Sequence, residues 1–197
     1  MKTLFSIIIL LTISLTNINN AFSISPDVFI QSTVNRASQL LSKDITKDEK
    51  MNQLKLIAKE TVDISAIGFY SLGSARKGLN ENQKKTYLDL FEKYFLKSLT
   101  SRLKDYTEKK FEVISSDQKS ETYTIVNSKI AESSSQPEIK IDWRVYTKNV
   151  TKPIIRDLIV EGLSLAKTQK EEFASILNSN KDNINILFLK LQEFIDN

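Results

Sequence analysis

The sequence predicts an α+β fold in which helices surround a four-stranded antiparallel sheet. Apolar residues recur three and four positions apart from residue 26 to about residue 106, which is the spacing of amphipathic helices. Between residues 110 and 160 the period becomes two, as in strands with one buried face, and helical spacing returns after Gly162. Such separate runs of helices and strands are typical of the α+β class.

Residues 1–23 predict a secretory signal peptide. Lys2 precedes an apolar run at 4–15, and Ala21-Phe22-Ser23 offers a small-x-small cleavage site. We expect cleavage after Ser23, or else after Ala21. The alternative is an uncleaved anchor helix. This alternative is disfavoured because the apolar run is shorter than the ~20 residues of a membrane span. Residues 24–197 are then expected to form a single domain.

Three helices are predicted before residue 73. Pro26 suits the first position of a helix that runs to about residue 42. Thr46 and Glu49 form a capping box that opens the second helix. Residues 63–73 are denser in apolar side chains and predict a short, largely buried third helix.

The longest helix is predicted to begin after a loop at 73–80. Asn80 and Gln83 cap it, and its apolar stripe continues to about Tyr106. The stripe is rich in aromatic residues, which predicts a central packing role. It includes Tyr87, Leu88, Phe91, Tyr94, Phe95 and Leu99.

Four strands follow, and short polar turns join them. The strands are predicted at 110–116, 122–131, 139–147 and 154–160, with turns at 117–120, 133–137 and 148–153. Because the connections are short, consecutive strands should pair antiparallel. A curved sheet of this kind facing a long aromatic helix is suited to forming a pocket.

Two helices are predicted at the carboxyl-terminal end. Thr168 and Glu171 have the spacing of a capping box for the first, and Asp182 is the expected N-cap of the second.

The composition excludes several classes of function. The chain has no Cys and no His, which excludes disulfides, thiolate nucleophiles, Ser-His-Asp triads and imidazole-ligated zinc. A net charge of +4 is too mild for a nucleic-acid-binding protein, and a leader would carry the chain out of the cytoplasm. With 41% hydrophobic and 26% charged residues over 197 positions, the chain is of ordinary globular composition.

The carboxylates do not form a convincing catalytic pair. Glu171 and Glu172 are adjacent on a helix and point in different directions. Asp157 and Glu161 are predicted to share a strand face, but about 13 Å apart, too far for a glycosidase pair. We therefore expect a binding protein without catalytic or metal-binding residues.

Three segments of the sequence resemble one protein family. Residues 139–146 form a strand, 155–177 contain a strand end, a Glu-Gly turn and a helix, and 68–99 contain the aromatic helix. The most specific positions are Asp157, Glu161, Gly162, Ser164 and Phe173. Together they resemble the MlaC family of periplasmic phospholipid-binding proteins, also known as toluene-tolerance auxiliary components.

The resemblance implies a function and a set of partners. It implies a periplasmic shuttle, not an enzyme, whose only bound molecule is a phospholipid as cargo. The shuttle would pass lipid between an outer-membrane lipoprotein–porin complex and the substrate-receiving subunit of an inner-membrane ABC transporter, which maintains outer-membrane lipid asymmetry. It also implies a cone-like fold related to nuclear-transport-factor domains, with an apolar pocket for the acyl tails.

Candidate site residues follow from the pattern and the resemblance together. The tail pocket is predicted to be lined by Phe91, Phe95, Ile141, Trp143, Val145, Leu158, Val160, Phe173 and Leu177. The headgroup rim or a partner-docking surface is predicted at Arg76, Lys77 and Arg144. Each of these side chains also fits a plain core or a solvated surface. A carboxylate-dependent secreted enzyme, a structural adaptor of the envelope and a hopanoid-related member of the same family are the alternatives.

Overall fold

The computed structural model describes residues 23–103, 110–132 and 137–197. All but the last residue of the predicted signal peptide lies outside these ranges, so the peptide stays a prediction. The helices are α1 (Pro26–Leu41), α2 (Lys47–Thr61), α3 (Ile64–Ser71), α4 (Glu81–Leu103), α5 (Leu165–Ser179) and α6 (Ile184–Asp196), with a short 3₁₀ turn at Ala75–Gly78. The strands are β1 (Phe111–Ser120), β2 (Tyr123–Ile130), β3 (Ile139–Tyr146), β4 (Ile154–Val160) and β5 (Leu163–Ser164).

The sheet confirms the predicted α+β class and differs from the prediction in two details. Its strands pair antiparallel in chain order, β1-β2-β3-β4-β5, so the described part of the chain forms a sheet of five strands and not four. The additional strand, β5, is two residues long and follows a tight turn at Glu161-Gly162. Residues 117–120, predicted as a turn, continue β1, because Asp117 pairs with Ile125 and two register shifts accommodate the polar sequence.

The helix starts show which local signals decide the structure. Thr46 Oγ1 accepts a hydrogen bond from the Glu49 backbone N–H, as the predicted capping box requires. At the start of α4 the box is reciprocal: Asn80 Oδ1 accepts from Gln83 N–H at 2.9 Å, and Gln83 Oε1 accepts from Asn80 N–H at 3.0 Å. Both predicted caps are confirmed.

The two predicted caps at the carboxyl-terminal end are wrong. The N-cap of α5 is Ser164, whose Oγ accepts from Lys167 N–H, and Thr168 lies within the first turn of the helix. The N-cap of α6 is Asn183, because Asp182 has a φ of 57° and is left-handed.

The core consists of apolar clusters on different elements. The helix cluster joins α3, α4, α5 and α6 around Tyr87, Phe91 and Phe173. The sheet cluster joins α1 to the sheet, and its buried members are Ile30, Val126, Val145 and Ile155. A third, smaller cluster joins α1 to α2. Val62 packs against both the helix cluster and the sheet cluster.

Gly68 on α3 packs directly against the Phe91 ring on α4. A Cβ at this position would lie 2.8 Å from Phe91 Cδ1, which is well inside van der Waals contact. The Gly68 carbonyl accepts a hydrogen bond from the Tyr87 hydroxyl at 2.9 Å. Burial raises the pKa of that hydroxyl, and Tyr94 raises it further, so Tyr87 remains a neutral donor.

We expect Gly68→Ala to lower the free energy of unfolding by about 1–3 kcal/mol, because the buried Phe91 ring has to move. Gly78→Ala is the matched control, since an added Cβ there meets no atom within 4 Å and the backbone needs no positive φ. That variant should be neutral or slightly stabilised. Urea denaturation followed by circular dichroism measures both, and equal stability of the two variants would contradict the close packing.

Candidate functional site

The two faces of β3 carry different chemistry. Trp143 pairs with Val126 on β2 and Leu158 on β4, and directly paired residues project to the same face. Arg144, the next residue, pairs with Asp157 and projects to the opposite face. We call one side of the sheet the apolar face; it carries Ile141, Trp143 and Val145 with their strand partners. We call the other side the polar face; it carries Arg144 and Asp157.

A hydrogen-bonded chain fixes Trp143 on the apolar face. Its indole Nε1 donates to Ser128 Oγ at 2.9 Å, and that hydroxyl donates to the Ile141 carbonyl at 2.7 Å. Phe111 meets the indole edge to face, with 6.1 Å between ring centroids. The orientation of Trp143 is therefore set by a buried serine, and the residue as a whole is partly buried.

Further along the apolar face the side chains are incompletely covered. Leu158 lies opposite Trp143 and Val160 lies opposite Ile141, and both are only partly buried. Helix α1 covers the other part of this face through Ile30, across β1 and β2. The apolar face thus has a partly exposed aromatic and aliphatic surface at Trp143, Leu158 and Val160, beside the part that α1 covers.

The nine residues predicted to line a pocket fall into two groups. Phe91, Phe95, Phe173 and Leu177 belong to the helix cluster. Ile141, Trp143, Val145, Leu158 and Val160 lie on the apolar face of the sheet. The structure does not bring the nine into one cluster; Val62 is a side chain that contacts both groups. Their role in lining a pocket remains a prediction.

A cavity of about 200 Å³ lies on the polar face, where the sheet meets α3 and α5. It is lined by Ala66, Tyr70, Tyr123, Arg144, Arg156, Asp157 and Ala166. Of the three predicted rim residues, Arg144 lines this cavity. Arg76 and Lys77 are exposed on the 3₁₀ turn and are not among the lining residues.

Arg156 is a central residue of this cavity that the sequence pattern did not single out. Its guanidinium donates to Asp63 Oδ2 at 2.9 Å and to the Tyr123 hydroxyl at 3.0 Å. It also stacks on Tyr146, 3.7 Å from the ring centroid. Burial lowers the pKa of Arg156, but these hydrogen bonds outweigh that effect and raise it above its ordinary value. Arg156 is therefore a fixed, charged wall of the cavity.

Strict alternation along β4 would place Arg156 and Asp157 on opposite faces. A register shift between Arg144 and Val145 leaves one extra residue on β4, so that both side chains reach the polar face. A β-bulge has no clear signature in this sequence, which explains why Arg156 was missed.

Asp157 joins β4 to the start of α5. Its side chain is 3% exposed. Its Oδ1 accepts from Leu158 N–H at 2.9 Å and Ala166 N–H at 3.1 Å, and its Oδ2 accepts from Ser164 Oγ at 2.6 Å. Since Ser164 also caps α5, the carboxylate connects the corner formed by β4, β5 and the first turn of α5.

Glu161 does not share a strand face with Asp157, contrary to the prediction. It follows β4 with a φ of 50°, and its carboxylate accepts a hydrogen bond from the Lys140 backbone N–H. The two carboxylates therefore have separate structural roles, at the corner and at the turn.

Within residues 23–103, 110–132 and 137–197, no group of three or more acidic side chains is arranged to hold a metal ion. The same part of the chain contains no helix with the length and apolar character of a membrane span.

The fold is that of a solved lipid-binding protein. A structure described as the phospholipid-binding protein from Ralstonia solanacearum, in complex with a phospholipid, matches with a TM-score of 0.74 at 14% sequence identity. The match covers 88% of this chain and 98% of that chain. The two proteins thus share the α+β architecture with a curved antiparallel sheet.

The chain belongs to the MlaC family. The family description "MlaC protein" matches residues 31–193, a range that includes α4, the sheet, α5 and all of α6 except its last residues. A search of curated protein sequences finds no match to this chain. The resemblance identified from the sequence is confirmed.

Proposed function

We propose that this protein binds a phospholipid and carries it through the periplasm, between the outer membrane and an ABC transporter of the inner membrane. The observation that carries the proposal is the fold match, which spans nearly the whole length of a protein solved with a phospholipid bound. Membership of the MlaC family supports it. The predicted leader at residues 1–23 supports export to the periplasm.

The chemistry required of such a carrier is solvation and not catalysis. Exposing two acyl chains with about thirty methylenes to water costs a free energy of roughly 20–25 kcal/mol, at ~0.8 kcal/mol per methylene. An apolar site removes most of this cost, so transfer from a bilayer is nearly neutral and direction is left to the ATPase of the transporter. The absence of His and Cys from the sequence is compatible with this role, and we do not assign an enzymatic activity.

We place the tails along the apolar face of the sheet, reaching toward the helix cluster at Val62, the side chain that packs against both clusters. Trp143, Leu158 and Val160 offer a partly exposed apolar surface on the sheet side, and Phe91, Phe95, Phe173 and Leu177 lie in the helix cluster. The cavity on the polar face is smaller than the roughly 300–1,000 Å³ of pockets for drug-sized ligands, so it does not fit two acyl chains.

Native mass spectrometry of the purified protein, with solvent extraction, tests the proposal. We expect a co-purified phospholipid, and uptake of phospholipid from vesicles by the delipidated protein. Recovery of a hopanoid in place of a phospholipid would favour the hopanoid-related alternative. Delipidated protein that takes up no lipid from vesicles would contradict lipid binding and favour a structural adaptor.

A further inference from the structure

The carboxylates beside the polar-face cavity have their oxygens occupied. Asp157 accepts three hydrogen bonds, from Leu158 N–H, Ala166 N–H and Ser164 Oγ. Asp63, which holds Arg156, accepts from Ala66 N–H through Oδ1 and from the guanidinium through Oδ2. These acceptors are committed to the fold and offer little to a further cation.

Several donors at the same cavity are still available to a ligand. The Arg144 side chain is 46% exposed, and its contact with Asp157 is an ion pair at 3.9 Å, longer than a hydrogen bond. The Tyr123 hydroxyl accepts from Arg156, which leaves its own hydrogen free to donate into the cavity. Tyr70 is 43% exposed, with the Lys170 ammonium 5.3 Å from its ring centroid. Arg144, Arg156 and the two tyrosines thus bring donor groups to the cavity, and the Asp157 carboxylate that also lines it is ion-paired with Arg144.

The cavity size suits a small polar ligand. A volume of about 200 Å³ is many times the roughly 10–15 Å³ that a cavity needs to hold one water molecule. A phosphate group with a few waters fits this space. An arginine with free donors beside tyrosine hydroxyls is the chemistry that recognises phosphate oxygens.

Alternation along β3 separates this cavity from the proposed tail site. Trp143 and Val145 belong to the sheet cluster on the apolar face, whereas Arg144 projects between them to the opposite side. We propose that the polar-face cavity is a second ligand site, which binds a phosphate-type oxyanion independently of the acyl tails. Only its separation from the tails rests on the proposed function; binding of the oxyanion does not.

Titration of delipidated protein with inorganic phosphate, followed by ¹⁵N NMR, tests the site. We expect saturable shifts of the Ala66 and Ala166 amides, which border the cavity. In Arg144→Gln the affinity should fall by about tenfold or more. Arg36→Gln is the matched control, because Arg36 is also 46% exposed and ion-paired, but to Glu60 between α1 and α2. This control should bind phosphate as the wild type does.

A second arm distinguishes free phosphate from a lipid headgroup. The titration is repeated on protein loaded from phosphatidylglycerol vesicles, and retained shifts support a separate site. Loss of the shifts on loading would overturn that separation, because the headgroup would then occupy the cavity. Absence of saturable shifts in the delipidated wild type, or equal affinity in Arg144→Gln, would overturn the site itself. Failure to load lipid would contradict the proposed carrier function and would leave the phosphate result valid.

Discussion

Asp157→Ala is expected to lower the free energy of unfolding by about 3–5 kcal/mol. Three donors lose a charged acceptor at once, and hydrogen bonds to charged groups contribute about 1.5–3 kcal/mol each. The net loss of stability is smaller than their sum because the variant no longer has to bury a carboxylate. The ion pair with Arg144 adds little, since that side chain is 46% exposed. Urea denaturation followed by circular dichroism gives the measurement.

Two other variants separate the causes of this loss. Asp142→Ala removes a partly buried carboxylate from the polar face of neighbouring β3, and we expect a change within about 0.5 kcal/mol. Asp157→Asn keeps one oxygen for the Leu158 and Ala166 amides, so its stability should lie between those of wild type and Asp157→Ala. If Asp157→Ala cost no more than Asp142→Ala, the corner formed by β4, β5 and α5 would not depend on this carboxylate.

The same corner shows why part of the structure could not be predicted from sequence. Thr168 and Glu171 match the local pattern of a capping box as well as Thr46 and Glu49 do. The start of α5 is decided by a non-local contact, the hydrogen bond from Ser164 to Asp157 across the turn. Capping at Thr46 and Asn80 involves residues three positions apart, and there the sequence pattern was sufficient.

For the candidate site, the sequence pattern predicts which face of a strand a side chain takes but not which elements it meets. Trp143 and Val145 lie on one face of β3 and Arg144 lies on the other, which is the alternation that a period of two in the sequence implies. Which apolar residues meet across elements depends on how helices dock on the sheet, and no local pattern encodes that docking. The predicted set therefore spans two clusters, and Arg156 reaches its cavity through a bulge.

Leu158→Glu is expected to reduce phospholipid uptake by at least about tenfold. Leu158 lies on the apolar face opposite Trp143 and is partly exposed, so the carboxylate remains hydrated in the lipid-free protein. Acyl tails lying against this face would remove that water and leave a charge without a partner, which costs several kcal/mol. Each 1.4 kcal/mol corresponds to about a tenfold loss of affinity.

Ile159→Glu is the matched control for this variant. Ile159 is the next residue on β4, is also partly buried, and projects to the polar face. The two variants have the same charge and the same strand context, so circular dichroism should show both folded, and only Leu158→Glu should lose uptake. Native mass spectrometry measures the bound lipid, and fluorescence of Trp143, the only tryptophan in the chain, reports contact with the tails independently. Equal uptake by the two variants would mean that the tails do not lie on the apolar face. Only Leu158→Glu places its charge on that face, so tails bound there would distinguish the two variants.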